Sequence, residues 1–264
     1  MDHFNAVLYG CYFAFFVLIS SFEILNSRRS PVLSRGNRWP TNFGLFFINS
    51  LLLQLVSTAF ISNLAYFTWK NGWGLLNHLD MNPVVQFLLS ILLLDLMAYV
   101  SHVIYHKVPL GWKFHRVHHL DMDMDSTTGL LFHPFESLVS FIVRQPFVLL
   151  VGPSPLGVFF FDSIVLFVSL ATHANIRFYP GLDRILKWLV VTPDMHRIHH
   201  STEWVESNSN YGFLLSIWDR LFRTYVKRAK VPQDNMELGL KEFRDPRFFR
   251  IPQTLKFPFW KKDP

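Results

Sequence analysis

Long apolar runs dominate the pattern of this chain. Residues 6–25, 43–67 and 84–105 are three almost uninterrupted hydrophobic stretches. Two further runs, 135–151 and 156–178, flank a Gly-Pro-Ser-Pro sequence, which is a strong turn signal. An α-helix needs about 20 apolar residues to cross a bilayer. The pattern therefore predicts membrane-spanning helices, and the last two runs are expected to form a hairpin that leaves and re-enters the same side.

The polar segments between the runs differ in charge. Residues 26–42 contain four arginines, two prolines and no acidic residue, and they are predicted to form a loop. Residues 68–83 contain a single lysine. Because basic loops remain in the cytoplasm, the N-terminus is expected outside. The fold class is then all-α: an integral membrane helical bundle of about four spans, with a cytoplasmic, histidine-rich helical cap built from residues 106–134 and 179–264.

Composition narrows the class of protein. Half of the 264 residues are hydrophobic and 17% are charged, compared with about 25% charged in an average soluble domain. Disordered and low-complexity classes are excluded, and no nucleic-acid partner is expected. The single cysteine, Cys11, excludes an intrachain disulfide and a cysteine-based metal site. We expect one membrane-embedded domain over residues 1–264, with a histidine-rich catalytic region at about 84–226 and a tail at 227–264.

Histidine is the residue type that suggests chemistry. The chain has 12 histidines, and eight of them form three clusters. On a helix, residues three or four positions apart lie on one face, with Cβ atoms about 5–6 Å apart. Each cluster can therefore direct two or three imidazoles towards one metal ion, which binds histidine nitrogen at about 2.0–2.1 Å. The clusters are His102 and His106; His115, His118 and His119; and His196, His199 and His200.

The number of clustered imidazoles sets the number of metals. Eight imidazoles exceed the four ligands of tetrahedral zinc and the six of an octahedral ion, so two metals are predicted. Two more histidines, His133 and His173, lie at the cytoplasmic ends of the predicted hairpin and are candidates to complete the coordination. The alternative is a set of solvated histidines on basic amphipathic helices.

Carboxylates are expected beside these ligands, because a metal-bound histidine usually donates its other N–H to such a group. Asp95 lies seven residues before His102 on the same helical stripe, and an acid inside a span needs a partner. We therefore expect Asp95 to bond a ligand imidazole, whereas a helix cap or a solvated face is an equal alternative for any other single aspartate. The other candidates adjoin the second and third clusters: Asp121, Asp123, Asp125 and Asp194.

In order and spacing, the three clusters resemble the histidine boxes of the fatty acid hydroxylase / sterol desaturase superfamily, which have the forms H-x3-H, H-x2-H-H and H-x2-H-H. The resemblance is close over about residues 84–226 and points to the prokaryotic sterol-desaturase-like branch. The fatty acid 2-hydroxylases often carry a further H-x3-H before the last box, whereas here Arg177 stands four residues after His173. The flanking segments that share the likeness are 112–119, 132–136, 173–175, 192–196, 210–212 and 218–222.

The resemblance implies a pair of iron ions that activates O2 to hydroxylate or desaturate a C–H bond of a lipid, such as a sterol or a fatty acyl chain. Electrons are then expected from a donor in trans, either cytochrome b5-like or ferredoxin-type with its reductase, because no cytochrome b5-type domain is fused. Asn175, in one of the matching segments, joins the residues expected to support the site. Imidazole ligands alone also permit zinc.

A lipid substrate needs an apolar pocket, and aromatic residues of the last span are candidates to line it, although packing or lipid contact is the commoner role. They are Phe159, Phe160, Phe161 and Phe167. Other functions remain open. One is a two-metal lipid hydrolase or lyase, but such a site usually has carboxylate ligands, which these clusters lack. Another is a metal transporter, but it would place its ligands near the middle of the membrane. A third is a non-catalytic membrane binding protein, which would not need all three clusters to be intact.

The charge asymmetry gives a testable topology. In a variant without Cys11, single cysteines near Ser34 and Gly239 should be protected from an impermeant thiol reagent applied outside the cell. A cysteine near Asn77 should react, because the arginine-rich loop is retained inside. The opposite labelling pattern would place the histidine clusters on the outer face.

Overall fold

The computed structural model describes residues 2–60 and 64–260 and consists mainly of helices. Within these ranges no strand occurs, and three isolated β-bridges join loops. Short 3₁₀ helices lie at His118–Leu120, Ser126–Leu130, Gln233–Asn235, Pro246–Phe249 and Phe257–Phe259. The α-helices are α1 (Asp2–Leu25), α2 (Arg35–Phe60), α3 (Leu64–Lys70), α4 (Leu75–His78), α5 (Pro83–Lys107), α6 (Pro109–His115), α7 (Pro134–Val151), α8 (Pro155–His173), α9 (Pro180–Leu186), α10 (Pro193–His199), α11 (Trp204–Ser207), α12 (Ile217–Leu221) and α13 (Ile251–Lys256).

Four of the described helices are long and apolar enough to cross a membrane: Val7–Leu25, Pro83–Lys107, Pro134–Val151 and Pro155–His173. The prediction of an all-α membrane bundle of about four spans is therefore confirmed. Helix α8 packs against α5 and α1, and α2 packs against α7.

Local signals explain the hairpin of α7 and α8. Gly152 ends α7 in the left-handed region, with φ of 63°, a conformation that glycine adopts without strain. Ser154 then caps α8, because its hydroxyl accepts a hydrogen bond from the N–H of Gly157 at 3.0 Å. Pro155 occupies the first turn, where its missing N–H costs nothing. The turn thus reverses the direction of the chain. It lies at the opposite end of α8 from His173.

The second apolar run differs from its prediction. Helix α2 begins at Arg35, so the second half of the segment 26–42 is helical rather than a loop. Residues 61–63 of the predicted run lie outside the described residues, and α3 follows from Leu64. Pro40 lies inside α2, where it removes a backbone hydrogen bond, but tertiary contacts of the neighbouring Arg38 stabilise this turn.

Arg38 is the centre of a buried ion cluster. Its side chain is 1% exposed, and Nη1 donates to both oxygens of Asp121 at 2.8 and 3.0 Å. The same guanidinium pairs with Asp125 through Nη2 and lies 3.4 Å from Asp123 through Nε. The backbone N–H of Leu33 also donates to Asp123 at 2.7 Å. These three aspartates therefore hold the start of α2 against the segment 121–125, instead of approaching the histidines as the sequence suggested.

The tail packs back onto this region. Phe243, Phe248 and Phe257 form edge-to-face ring contacts with one another. Together with Phe249 they share a buried apolar cluster whose other members come from α2 and the segment around the second histidine cluster. Those members are Leu45, Val117, Leu120, Met122 and Leu131. The C-terminal segment is thus part of the packing that supports the histidines.

Arg38→Met should destabilise the fold strongly, because it leaves the buried carboxylates without their cation, a change that typically costs about 3–5 kcal/mol. Arg35→Met, one turn earlier, is the matched control, since Arg35 makes only a cation–π contact with Trp39 in the described structure. Thermal unfolding of the detergent-solubilised variants measures both effects. Equal losses of stability in the two variants would contradict the role of the ion cluster.

Candidate metal centre

Nine histidines from four parts of the chain converge at one end of the bundle. His102 and His106 lie in the last turns of α5, and His173 ends α8. The middle cluster comes from the end of α6 and the 3₁₀ turn after it, and the last cluster from α10 and the residue that follows it. Thr192 caps α10, because its hydroxyl accepts from the N–H of Met195 at 3.4 Å, which fixes where that helix begins.

The nine residues form two adjacent groups. In each group the nitrogen atoms available to a metal all lie within 4.8 Å of one another. Group one is defined as His102, His106, His115, His119 and His199, and group two as His118, His173, His196 and His200. The groups touch where the rings of His119 and His200 stack at a centroid distance of 4.4 Å. The second and third clusters each contribute to both groups, because neighbouring residues in a helical turn point in different directions.

Hydrogen bonds on the outer side of the rings fix their orientation. For five of the nine, Nδ1 donates to a backbone carbonyl or a carboxylate, which leaves Nε2 as the unprotonated nitrogen turned inwards. These bonds run from His102 to the Tyr211 carbonyl (2.8 Å), from His115 to Glu136 (2.7 Å), from His118 to the Leu131 carbonyl (3.2 Å), from His173 to the Ser169 carbonyl (2.7 Å) and from His199 to the Ser209 carbonyl (2.7 Å).

The inner nitrogens have the arrangement that a cation requires. In group one, the Nε2 atoms of all five histidines are buried without a hydrogen-bond partner in the described part of the chain. In group two, Nε2 of His173 lies 3.0 Å from Nε2 of His118. Both rings donate through Nδ1, so two lone pairs face each other. A cation at about 2.0–2.1 Å from each nitrogen would satisfy both. The residues present therefore fit a pair of metal ions.

Burial favours the neutral form of His119, His196, His199 and His200. Loss of solvation lowers the pKa of His199 to about 3. The same cause, followed by repulsion from neighbouring histidines, lowers the pKa of His119, His196 and His200 well below the ordinary value. At neutral pH the rings therefore keep the lone pairs that metal binding needs.

Glu136 is the carboxylate that the sequence reasoning missed. It lies in the first turn of α7, is 5% exposed, and accepts the bond from His115. Its second oxygen, Oε2, is buried without a partner in the described structure. Its position was an available signal, since it is an acid at the start of an apolar run and three residues after the candidate His133.

Asp95 lies elsewhere than expected. Its carboxylate accepts hydrogen bonds from the N–H groups of Leu214 and Leu215 at 3.0 and 3.1 Å, and from Nε1 of Trp218 at 2.8 Å. Seven residues separate Asp95 from His102, roughly 10 Å along a helix, which is too far for a direct bond. Asp95 instead anchors the loop that carries the Tyr211 carbonyl to His102.

Two further expected supports also bind other partners. Asp194 forms ion pairs with Arg197 at 2.6 Å and with Arg28 at 3.4 Å. The side chain of Asn175 accepts from the N–H of Arg29 and donates to its carbonyl. In the described structure neither side chain bonds a histidine of the two groups. Like Asp123, they fix the polar segment between α1 and α2 against the cap.

His133 is not brought to the other histidines. It caps α7, since its Nδ1 accepts from the N–H of Phe135 at 3.1 Å. Its Nε2 donates to the carbonyl of Leu255 at 3.1 Å. With both nitrogens bonded to backbone, His133 is outside groups one and two, whereas His173 belongs to group two.

A cavity of about 390 Å³ lies between α5, α7 and α8 and reaches the histidines. Its lining is mainly apolar, which suits a lipid chain. Of the four phenylalanines expected to line it, only Phe161 does so among the described residues. Phe160 forms an edge contact with Phe87 and with Phe159, and Phe167 contacts Tyr12.

The fatty acid hydroxylase family model matches residues 87–224. Ornithine lipid hydroxylase OlsE of Rhizobium tropici is 31% identical over 159 residues, 60% of this chain and 44% of the relative. Alkylglycerol monooxygenase of Xenopus tropicalis is 30% identical over 138 residues, 52% of this chain and 30% of the relative. Cholesterol 25-hydroxylase of Homo sapiens is 27% identical over 150 residues, 55% and 52% of the two chains. This chain thus spans about half or less of these relatives, and no solved structure matches it.

His173→Ala and His133→Ala form a matched pair that tests group two. His173→Ala should weaken metal binding by about 10-fold or more, since it removes a nitrogen that faces two others. His133→Ala should leave metal affinity unchanged, because its ring bonds only backbone. Metal titration of the purified variants gives both values. A loss of affinity in His133→Ala that equals the loss in His173→Ala would contradict the grouping.

Proposed function

This chain belongs to the fatty acid hydroxylase family, and from that membership we propose that it is a membrane oxidoreductase that uses two iron ions and O2 to hydroxylate or desaturate a C–H bond of a lipid. The observation that carries the proposal is the junction of two buried groups of inward-facing imidazoles with an apolar cavity. The relatives are named as lipid hydroxylases and monooxygenases, which supports oxidation of a lipid.

We assign one ion to each group of histidines. Bound iron supplies the activation of O2 and the oxidising power, which side chains cannot provide. Zinc fits the same donors, and iron is proposed on the strength of the family. His133 is not one of the proposed ligands. Glu136 supports a ligand instead: it orients His115 and raises the basicity of that ring.

The protein's own contribution is to orient the lipid and to keep water away. His102, His118 and His173 form the inner end of the cavity, so a chain that fills it brings one carbon next to both groups. Phe132 stacks on the ring of His118 at 4.4 Å and closes the cavity on that side. A dry, shaped pocket of this kind fixes which carbon is attacked and protects reactive species from side reactions.

We place the site on the cytoplasmic face, with electrons delivered by a cytochrome b5-like or ferredoxin-type donor in trans. The support is that the arginine-rich segment 26–42 lies at the same end of the bundle as the histidines. Arg28 pairs with Asp194, two residues before His196, and Arg38 pairs with Asp121, two residues after His119. A basic segment of this kind is retained inside the cell.

The test is metal content together with O2-dependent lipid oxidation. The purified protein should hold about two iron ions per chain, consume O2 with a reductant and lipid extract, and place isotopically labelled oxygen in the hydroxylated lipid or in water. His118→Ala and His199→Ala remove ligands of different groups, so each should lose about one ion together with the activity. His78→Ala, in α4, is the matched control and should behave as wild type.

Two results would overturn the proposal. Stoichiometric metal retained by the double variant of His118 and His199 would show that the groups are not the metal site. Lipid cleavage without O2 uptake would instead identify a two-metal hydrolase or lyase.

A further inference from the structure

An ion pair lies inside the membrane-spanning part of the cavity. Nη1 of Arg144 in α7 donates to Oδ1 of Asp162 in α8 at 2.6 Å, and both side chains line the cavity that reaches the histidines. Ionisable side chains inside a span are costly, and they mark functional sites more often than simple structure. The rest of the lining is mainly apolar, so this pair is a polar feature of the lipid pocket that the proposed oxidation does not use.

The pair lies far from the metal groups. Along α7, Glu136 and Arg144 are eight residues apart, roughly 12 Å. Along α8, Asp162 and His173 are eleven residues apart, roughly 16 Å. The cavity therefore has a reacting end at the histidines and a polar end at Arg144 and Asp162.

A purely structural link between α7 and α8 would be expected to be buried. Here the side chain of Asp162 is 49% exposed and that of Arg144 is 20% exposed. Their mutual bond uses one oxygen and one nitrogen, and in the described structure neither side chain makes another hydrogen bond. The second carboxylate oxygen and the remaining guanidinium N–H groups are thus available to a third partner.

The charge of the pair restricts that partner. Arg144 and Asp162 together carry no net charge and offer both donors and acceptors. A free carboxylate could bind Arg144 only against repulsion from Asp162, whereas an uncharged group that both donates and accepts can bond to each without separating them. We propose that Arg144 and Asp162 select lipids whose polar group is uncharged and hydrogen-bonding, such as an alcohol or an amide, and reject free fatty acids. The inference rests on the proposed function only in treating the cavity as the lipid site.

Equilibrium binding tests the selection without turnover. The purified full chain in nanodiscs is titrated with radiolabelled hexadecanol and hexadecanoate at mildly alkaline pH, where the acid is ionised. Wild type should prefer the alcohol. Asp162→Asn leaves the Arg144 cation unpaired, so the ratio of affinities should shift towards hexadecanoate by about tenfold or more, the effect of one removed like charge. The double variant Arg144→Gln, Asp162→Asn should lose the preference. The single variant Asp162→Glu keeps the carboxylate and should retain the preference of wild type.

Glu203→Gln is the matched control, because it removes a carboxylate from an ion pair with Lys241 outside the spans and should leave the ratio unchanged. Variants are compared only when their thermal unfolding matches wild type. If Asp162→Asn does not fold, the double variant keeps the test decisive, because it leaves no unpaired charge and should still lose the preference. An unchanged ratio in Asp162→Asn, or no binding of either lipid to wild type, would overturn the selection. Selective binding by a protein that lacks O2-dependent oxidation would instead overturn the proposed function alone.

Discussion

The structure depends on one constraint: buried imidazoles must turn their unprotonated nitrogens inwards, so their Nδ1–H groups need acceptors outside. The acceptors come from several different elements. The Tyr211 and Ser209 carbonyls come from the loop before α12, the Leu131 carbonyl precedes α7, and the Ser169 carbonyl lies in α8. Much of the described bundle serves to hold these acceptors in place.

Charged side chains outside the two groups hold the backbone segments that carry the acceptors or the histidines. Asp95 fixes the loop before α12, and Arg38 holds the segment 121–125 after the second cluster. At Gly129, an added Cβ would lie 2.6 Å from the Ser169 carbonyl, so only glycine permits the close approach of the turn 126–130 to α8 beside the carbonyl that accepts from His173. Charged side chains that bond no histidine thus help to orient the rings, because the ion pair of Arg38 and the hydrogen bonds of Asp95 each fix one backbone segment against another.

The two ends of the cavity differ in chemistry. Neutral, desolvated imidazoles stand at one end, and the Arg144–Asp162 pair stands at the other. Apolar walls between them leave few places where a polar group of a lipid can bind. Under the proposed function, the distance between the two ends fixes which part of a lipid reaches the histidines, in the way that remote contacts orient a substrate for reaction.

The sequence alone determined the spans of α1, α5, α7 and α8, the hairpin turn and the three histidine clusters, because hydrophobic length, turn residues and helical spacing are local properties. The tertiary structure decided which histidines share a group, because the second and third clusters each divide between two sites according to how helices from distant parts of the chain pack. It also decided that Glu136 rather than Asp95 meets an imidazole, and that His133 caps a helix while His173 joins group two. The proximity of α5, α6, α7 and α10 produces no periodic pattern in the sequence. A carboxylate also has the same sequence pattern around it whether it binds an imidazole ring, an arginine or a backbone N–H.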